Sequence, residues 1–204
     1  MKPKNTNTNV QYLTYLGALV GLLFLLELTP LGILPIVPGT IEITTLMLPV
    51  VIGAIVLGPT AGGILGAVFG LISFWECFGK SAFGVALFSI NPLFTFLVCV
   101  PPRILMGLFS GLIFQALNRK SKGRDKLPFV VGALSGAVVN TVLFMTMLMV
   151  LFGNSDIILG LRGGMNVLAF VAAFVGFNGI VEAIVCGVIG SAVGFALYRL
   201  AHRK

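Results

Sequence analysis

Charge is what this sequence has least of. Of 204 residues only 9% are charged, against about 25% in an average soluble domain. With 58% hydrophobic residues and a mean hydropathy of +1.10, a fold of this size has too few charges to cover a surface in water. A soluble globular protein is excluded. Histidine is reduced to His202, set in a basic tail with no carboxylate or cysteine near it in sequence. Cys77, Cys99 and Cys186 are odd in number and lack metal-ligand spacing, so they read as buried or spare thiols. HExxH, CxxC and the Gly-rich phosphate loop are missing, and no Ser–His pair can be assembled, so no catalytic residue, metal or cofactor is expected. ATP hydrolysis by a P-loop is closed to this chain.

What is present is a series of long apolar runs broken by Pro, Gly and charge. Taking about 20 apolar residues per crossing, the pattern predicts an all-α integral membrane protein with six transmembrane helices. They cover about 10–29, 45–57, 61–76, 92–118, 127–152 and 173–200, and residues 1–204 read as a single membrane domain. The first run exceeds the about 7–15 residues of a signal-peptide core and has no A-x-A-like site after it, so it reads as a membrane helix. The stretch TPLGILPIVPGTIEITT, with three prolines, reads as a loop that dips toward the membrane face. WECFGKSAFGVALFSINP and FGNSDIILGLRGGMNVLAF read as longer connections.

The formal net charge of +7 is concentrated in three places. Lys2 and Lys4 precede the first run, Arg119, Lys120, Lys122, Arg124 and Lys126 crowd a central loop, and Arg199, Arg203 and Lys204 follow the last run. The positive-inside rule explains all three without nucleic acid and places both termini and the 119–126 loop in the cytoplasm.

Polar side chains within crossings are few. Arg103 lies in CVPPRILMGLFSG, Asn140 in SGAVVNTVLF, and Asn178 and Glu182 in GFNGIVEAIVCG. Asn91, Trp75, Glu76 and Lys80 lie near the outer ends of helices. An ionised side chain at mid-membrane costs about 2.5–3.5 kcal/mol on insertion scales, so such residues face a cavity or a partner. Arg103 and Glu182 form a natural ion pair between two helices, with a ligand role as the competing reading. Asn140 and Asn178 offer donors and an acceptor together and suit amides and hydroxyls. Small residues also fall at helical spacing. Thr14, Gly17, Ala18 and Gly21 share one face of the first run, and Ala183, Gly187 and Ser191 share one of the last. Such ridges allow close helix approach in lipid, either within the protein or onto a partner.

With these features assembled, a family resemblance emerges. The stretch TTLMLPVVIGAIVLGPTAGGILGAVFGLISF resembles the second and third helices of the substrate-binding S-components of energy-coupling factor (ECF) transporters. VPPRILMGLFSGLIF, GALSGAVVNTVLF and GFNGIVEAIVCGVIG resemble the fourth, fifth and sixth. Within the family the sequence is most similar to the pantothenate-specific members, then to those for pyrimidine and pyridoxine-type vitamins. The resemblance implies a vitamin pocket opening outward, and the side chains compatible with contacting such a vitamin are Asn140, Asn178, Asn91, Arg103, Glu182 and Trp75, with Lys80 and Arg162 as further cations for a carboxylate. It implies partners too: the lipid bilayer, a transmembrane coupling subunit docking on Thr14, Gly17, Ala18 and Gly21, and two cytoplasmic ATPase subunits. Two other classes compete with this reading, a structural protein of an envelope complex and a small intramembrane enzyme. The enzyme lacks any nucleophile–base pair.

Overall fold

The computed structural model describes residues 6–29, 32–37, 41–121 and 125–201, and of these only the backbone of 6–9, 33–37, 41–43, 120–121, 174–178 and 201. Nine α-helices and one two-stranded hairpin are described. They run α1 (Thr6–Leu28), β1 (Ile33–Val37), β2 (Ile41–Thr44), α2 (Met47–Val56), α3 (Pro59–Glu76), α4 (Ala82–Ile90), α5 (Pro92–Ser121), α6 (Leu127–Phe152), α7 (Asp156–Arg162), α8 (Val167–Val185) and α9 (Ser191–Ala201). A π-turn at Cys186–Gly190 joins α8 to α9.

The expected six crossings are met only in part. Among the described residues four helical stretches are long and apolar enough to span a bilayer: Val10–Leu28, Pro92–Arg119, Leu127–Phe152 and Gly179–Leu200. A fifth exists if α7 and the start of α8, bent by 77°, form one broken span. The segment 45–57 fails on length. α2 has ten residues, or about 15 Å at 1.5 Å per residue, half of a hydrocarbon core. Its apolarity has another cause: Val50, Val51, Ala54 and Ile55 are all buried in protein, so α2 is greasy all round because it is enclosed.

Two expected connections contain helices. Ser81 opens α4 by accepting the Gly84 N–H at 3.2 Å, and Ser155 opens α7 by accepting the Ile158 N–H at 3.4 Å. Such side-chain oxygens satisfy donors that a first helical turn leaves unpaired. Part of the expected 30–44 loop is the hairpin, paired Ile33 with Thr44, Leu34 with Ile43 and Pro35 with Glu42 before a register shift. Pro30 and Pro38 lie outside the described residues.

α3 and α5 share the most extensive helix contact. Gly62, Gly66 and Gly70 recur every four residues on α3, and a Cβ added to them would strike the backbone of Gly107, of Arg103, and of Val100 respectively. From α5, Gly111 lies so close to Pro59 that a Cβ would stand 2.7 Å from its Cα. The two backbones therefore meet with no side chain between them. The turn before α3 has Gly58 at φ +101°, a conformation open to glycine.

The two predicted small-residue ridges have different fates. Around the π-turn the ridge packs inward: a Cβ on Gly187 would stand 2.9 Å from Leu134, and the Ser191 hydroxyl donates to the Gly187 carbonyl. On α1, Leu23 is fully buried, with Leu16, Leu19, Val20 and Leu26 packed beside it. Thr14, Gly17, Ala18 and Gly21 point the other way and are exposed, and a Cβ on either glycine would meet nothing within 4 Å. The two faces of α1 differ in size rather than polarity.

Candidate functional site

α5 carries Pro101 and Pro102 one turn past the carbonyls of Leu97 and Val98. Proline has no N–H, so those carbonyls lose their helical donors. Arg103 Nη1 donates to Val98 O at 2.8 Å and so restores one of them. The guanidinium is fixed further by two rings, 4.8 Å from the Phe144 centroid and 5.7 Å from that of Phe69, where cation–π attraction holds it. Its Nε is buried and has no hydrogen-bond partner.

This guanidinium lines a cavity of about 230 Å³ between the first half of α5 and α2, α3, α4, α6, α8 and β2. Asn140 and Phe144 project from successive turns of α6, and Phe69, Ser73 and Glu76 from α3. Glu182 comes from α8, and Phe83 and Leu87 from α4. Asn140 is 8% exposed, and its Oδ1 is buried without a partner. A buried polar atom left unpaired costs about 1–3 kcal/mol. Two such atoms of opposite character, a cationic donor and an amide acceptor, therefore belong to residues that line one cavity. A ligand that accepts from Arg103 and donates to Asn140 would relieve both.

The expected Arg103–Glu182 ion pair is not formed at contact distance. Glu182 Oε1 accepts the Thr44 N–H at 3.5 Å, tying the hairpin to α8, while Arg103 is held by its own helix and the two rings. Both line the cavity, with Cys77 and Cys99 nearby. Among the described residues the ion pairs are instead those of Lys80, which contacts the Glu27 carboxylate and lies 3.9 Å from Glu76 Oε1. Lys80 Nζ also donates to the Glu27 carbonyl at 3.1 Å.

Of the six candidate contacts, Asn140, Arg103 and Glu182 come together here. Asn91 does not: its Oδ1 caps α5, accepting from Leu93 N at 3.0 Å and Phe94 N at 3.1 Å. Trp75 is 72% exposed, against Phe78 on the outer surface. Arg162 donates to the Met165 carbonyl at 3.2 Å, away from the cavity. The Asn178 side chain lies outside the described residues. Sequence reading missed Phe69, Ser73 and Phe144, yet the i, i+4 spacings Phe69–Ser73, Cys99–Arg103 and Asn140–Phe144 were the available signal.

Residues 11–193 match the model of a family described as "ECF transporter, substrate-specific component". The chain belongs to this family. The S-component is 29% identical over 208 residues to a "Pantothenate transporter PanT" of Leuconostoc mesenteroides, covering 97% of both chains. It is 28% identical over 199 residues to a "Pantothenic acid transporter PanT" of Lactococcus lactis subsp. cremoris, covering 93% of this chain and 94% of the other. It is a multi-pass membrane protein and a vitamin-binding transport subunit. The cavity lies far from the basic loop: sixteen residues of α5 separate Arg103 from Arg119, about 24 Å along the axis.

Proposed function

We propose that this S-component captures pantothenate in the cavity around Arg103 and Asn140 and delivers it through ECF partners. The observation that carries the reading is the pair of unsatisfied buried atoms, Arg103 Nε and Asn140 Oδ1, on two residues that line one cavity. Pantothenate presents a carboxylate, an amide and hydroxyls. Arg103 suits the carboxylate through charge-assisted hydrogen bonds, and Asn140 accepts from the amide N–H or a hydroxyl. Phe69, Phe83, Phe144 and Leu87 supply apolar walls. A space of about 230 Å³ is smaller than most ligand sites and suits a vitamin better than a peptide. Both relatives are named for this substrate.

An even number of crossings with both termini and the 119–126 loop in the cytoplasm would set the cavity on the outer side. The open strip Thr14, Gly17, Ala18 and Gly21 then docks the coupling subunit, and two ATPase subunits hydrolyse the nucleotide that this chain has no loop to bind. Equilibrium binding to the purified protein, with pantothenate, riboflavin, pyridoxine and a pyrimidine vitamin in parallel, tests the assignment. Nanomolar-to-micromolar binding of pantothenate alone is expected. Preference for another vitamin, or no binding at all, overturns it.

A further inference from the structure

Cys77 and Cys99 sit 22 residues apart in sequence, yet their sulfurs are 3.9 Å apart. Cys77 closes α3 and Cys99 lies in the first third of α5, one turn before Arg103. Both thiols are free and both line the cavity. The Cys77 S–H donates to the Ser73 carbonyl at 3.3 Å. With its one proton engaged there, its sulfur lone pairs are left for the Cys99 S–H. Cys186 is also free and buried but does not line the cavity.

We propose that Cys77 and Cys99 form a dithiol modification site in the wall of the cavity, which a small peroxide closes to a disulfide. One thiolate attacks the peroxide O–O bond, taking up one oxygen as a sulfenic acid while the other leaves as water after protonation. The second thiol then attacks the sulfenic sulfur, forming the S–S bond and expelling a second water. The two thiols lose two electrons and two protons, and hydrogen peroxide is reduced to water. Closure brings the sulfurs from 3.9 Å to about 2.05 Å. α3 is already backbone to backbone with α5 at Gly62, Gly66 and Gly70, so the movement falls on the end of α3 and the turn after it. That turn packs on α4, where a Cβ on Gly84 would stand 2.7 Å from the Cys77 sulfur. The bridge thus reshapes the wall beside Arg103.

The test uses the full chain in nanodiscs, treated with hydrogen peroxide, denatured, and labelled with a maleimide. Labels per chain should fall from three to one, with the remaining label on Cys186, and dithiothreitol should restore three. Pantothenate affinity should weaken at least tenfold on oxidation and recover on reduction, while in Cys99→Ser and Cys77→Ala proteins, each compared with its own untreated form, peroxide should produce no such tenfold, reversible change. Three labels after peroxide, separate sulfinic acids without a bridge, or a bridge that leaves affinity unchanged would overturn the proposal. The label count needs no vitamin, and vitamin binding by the reduced protein is read separately. The two readings therefore fail independently.

Discussion

Arg103 donates to the carbonyl of Val98, five residues behind it on the same helix, because Pro102 has no N–H to give. The double proline thus aims the guanidinium: one nitrogen is spent on the backbone, two rings clamp the plane, and Nε is left without a partner. A lysine could supply the charge but not the planar, stacked fork. Arg103→Lys is expected to weaken pantothenate binding at least tenfold and Arg103→Ala about a hundredfold, in line with hydrogen bonds to charged groups worth about 1.5–3 kcal/mol. Titration calorimetry checks both, and pantothenol, which lacks the carboxylate, should lose its discrimination between wild type and variants.

Asn140 tests the other half of the pair. Removing its buried, unpartnered acceptor should relieve the empty protein while taking a contact from the ligand. Asn140→Ala should therefore fold with a thermal midpoint at or above that of the wild type and bind about ten- to a hundredfold more weakly. A protein destabilised with affinity intact would show the side chain to be a helix staple.

Asn91 separates capping from binding. Its Oδ1 accepts two N–H groups at the start of α5, and loss of such a cap costs about 0.5–2 kcal/mol. Asn91→Ala should lower thermal stability by that amount, and pantothenate affinity should not change.

Lys80 holds two nearly buried carboxylates, with Glu27 at the end of α1 and Glu76 at the cavity. Lys80→Met leaves both uncompensated and should cost about 1–3 kcal/mol. Glu27→Gln in the same background should return part of the loss by removing one stranded charge. Thermal unfolding of the single and double variants reads the difference.

Glycines at equal spacing but on different surfaces should behave oppositely. Gly66→Leu drives a side chain into the Arg103 backbone and should abolish the folded, detergent-stable protein. Gly17→Leu meets open space and should leave folding and vitamin binding intact while uptake in cells carrying the ECF module is lost. Size-exclusion profiles and radiolabelled uptake distinguish them.

Much of this was legible from residue order. Prolines, glycines and basic clusters marked the breaks, and the rarity of charge made Arg103 and Glu182 stand out. Pairing was not legible. Hydropathy supplies no partner for a charge, and only the geometry of a double proline shows why Arg103 turns to its own helix. α2 read as a crossing because enclosure in protein and enclosure in lipid demand the same side chains. The α3–α5 seam was missed although Gly62, Gly66 and Gly70 recur every four residues, since glycine-rich runs also mark turns. Of the two small-residue ridges, that of the first run was already the better candidate for an outward face, because its other faces are plain Leu and Phe. Cys77 and Cys99 looked scattered because distance along the chain says nothing about the meeting of two helices.

The outward strip of α1 leaves the chain with a weakness that folding did not impose. Glycine in a helix is worse than alanine by about 1 kcal/mol, and Gly17 and Gly21 have room for larger residues. Selection for stability alone, in a purified-protein screen, would fill those positions first. It would return a sturdier vitamin binder whose smoothest face had been lost, and with it, on the docking role proposed for that face, the delivery of what it binds.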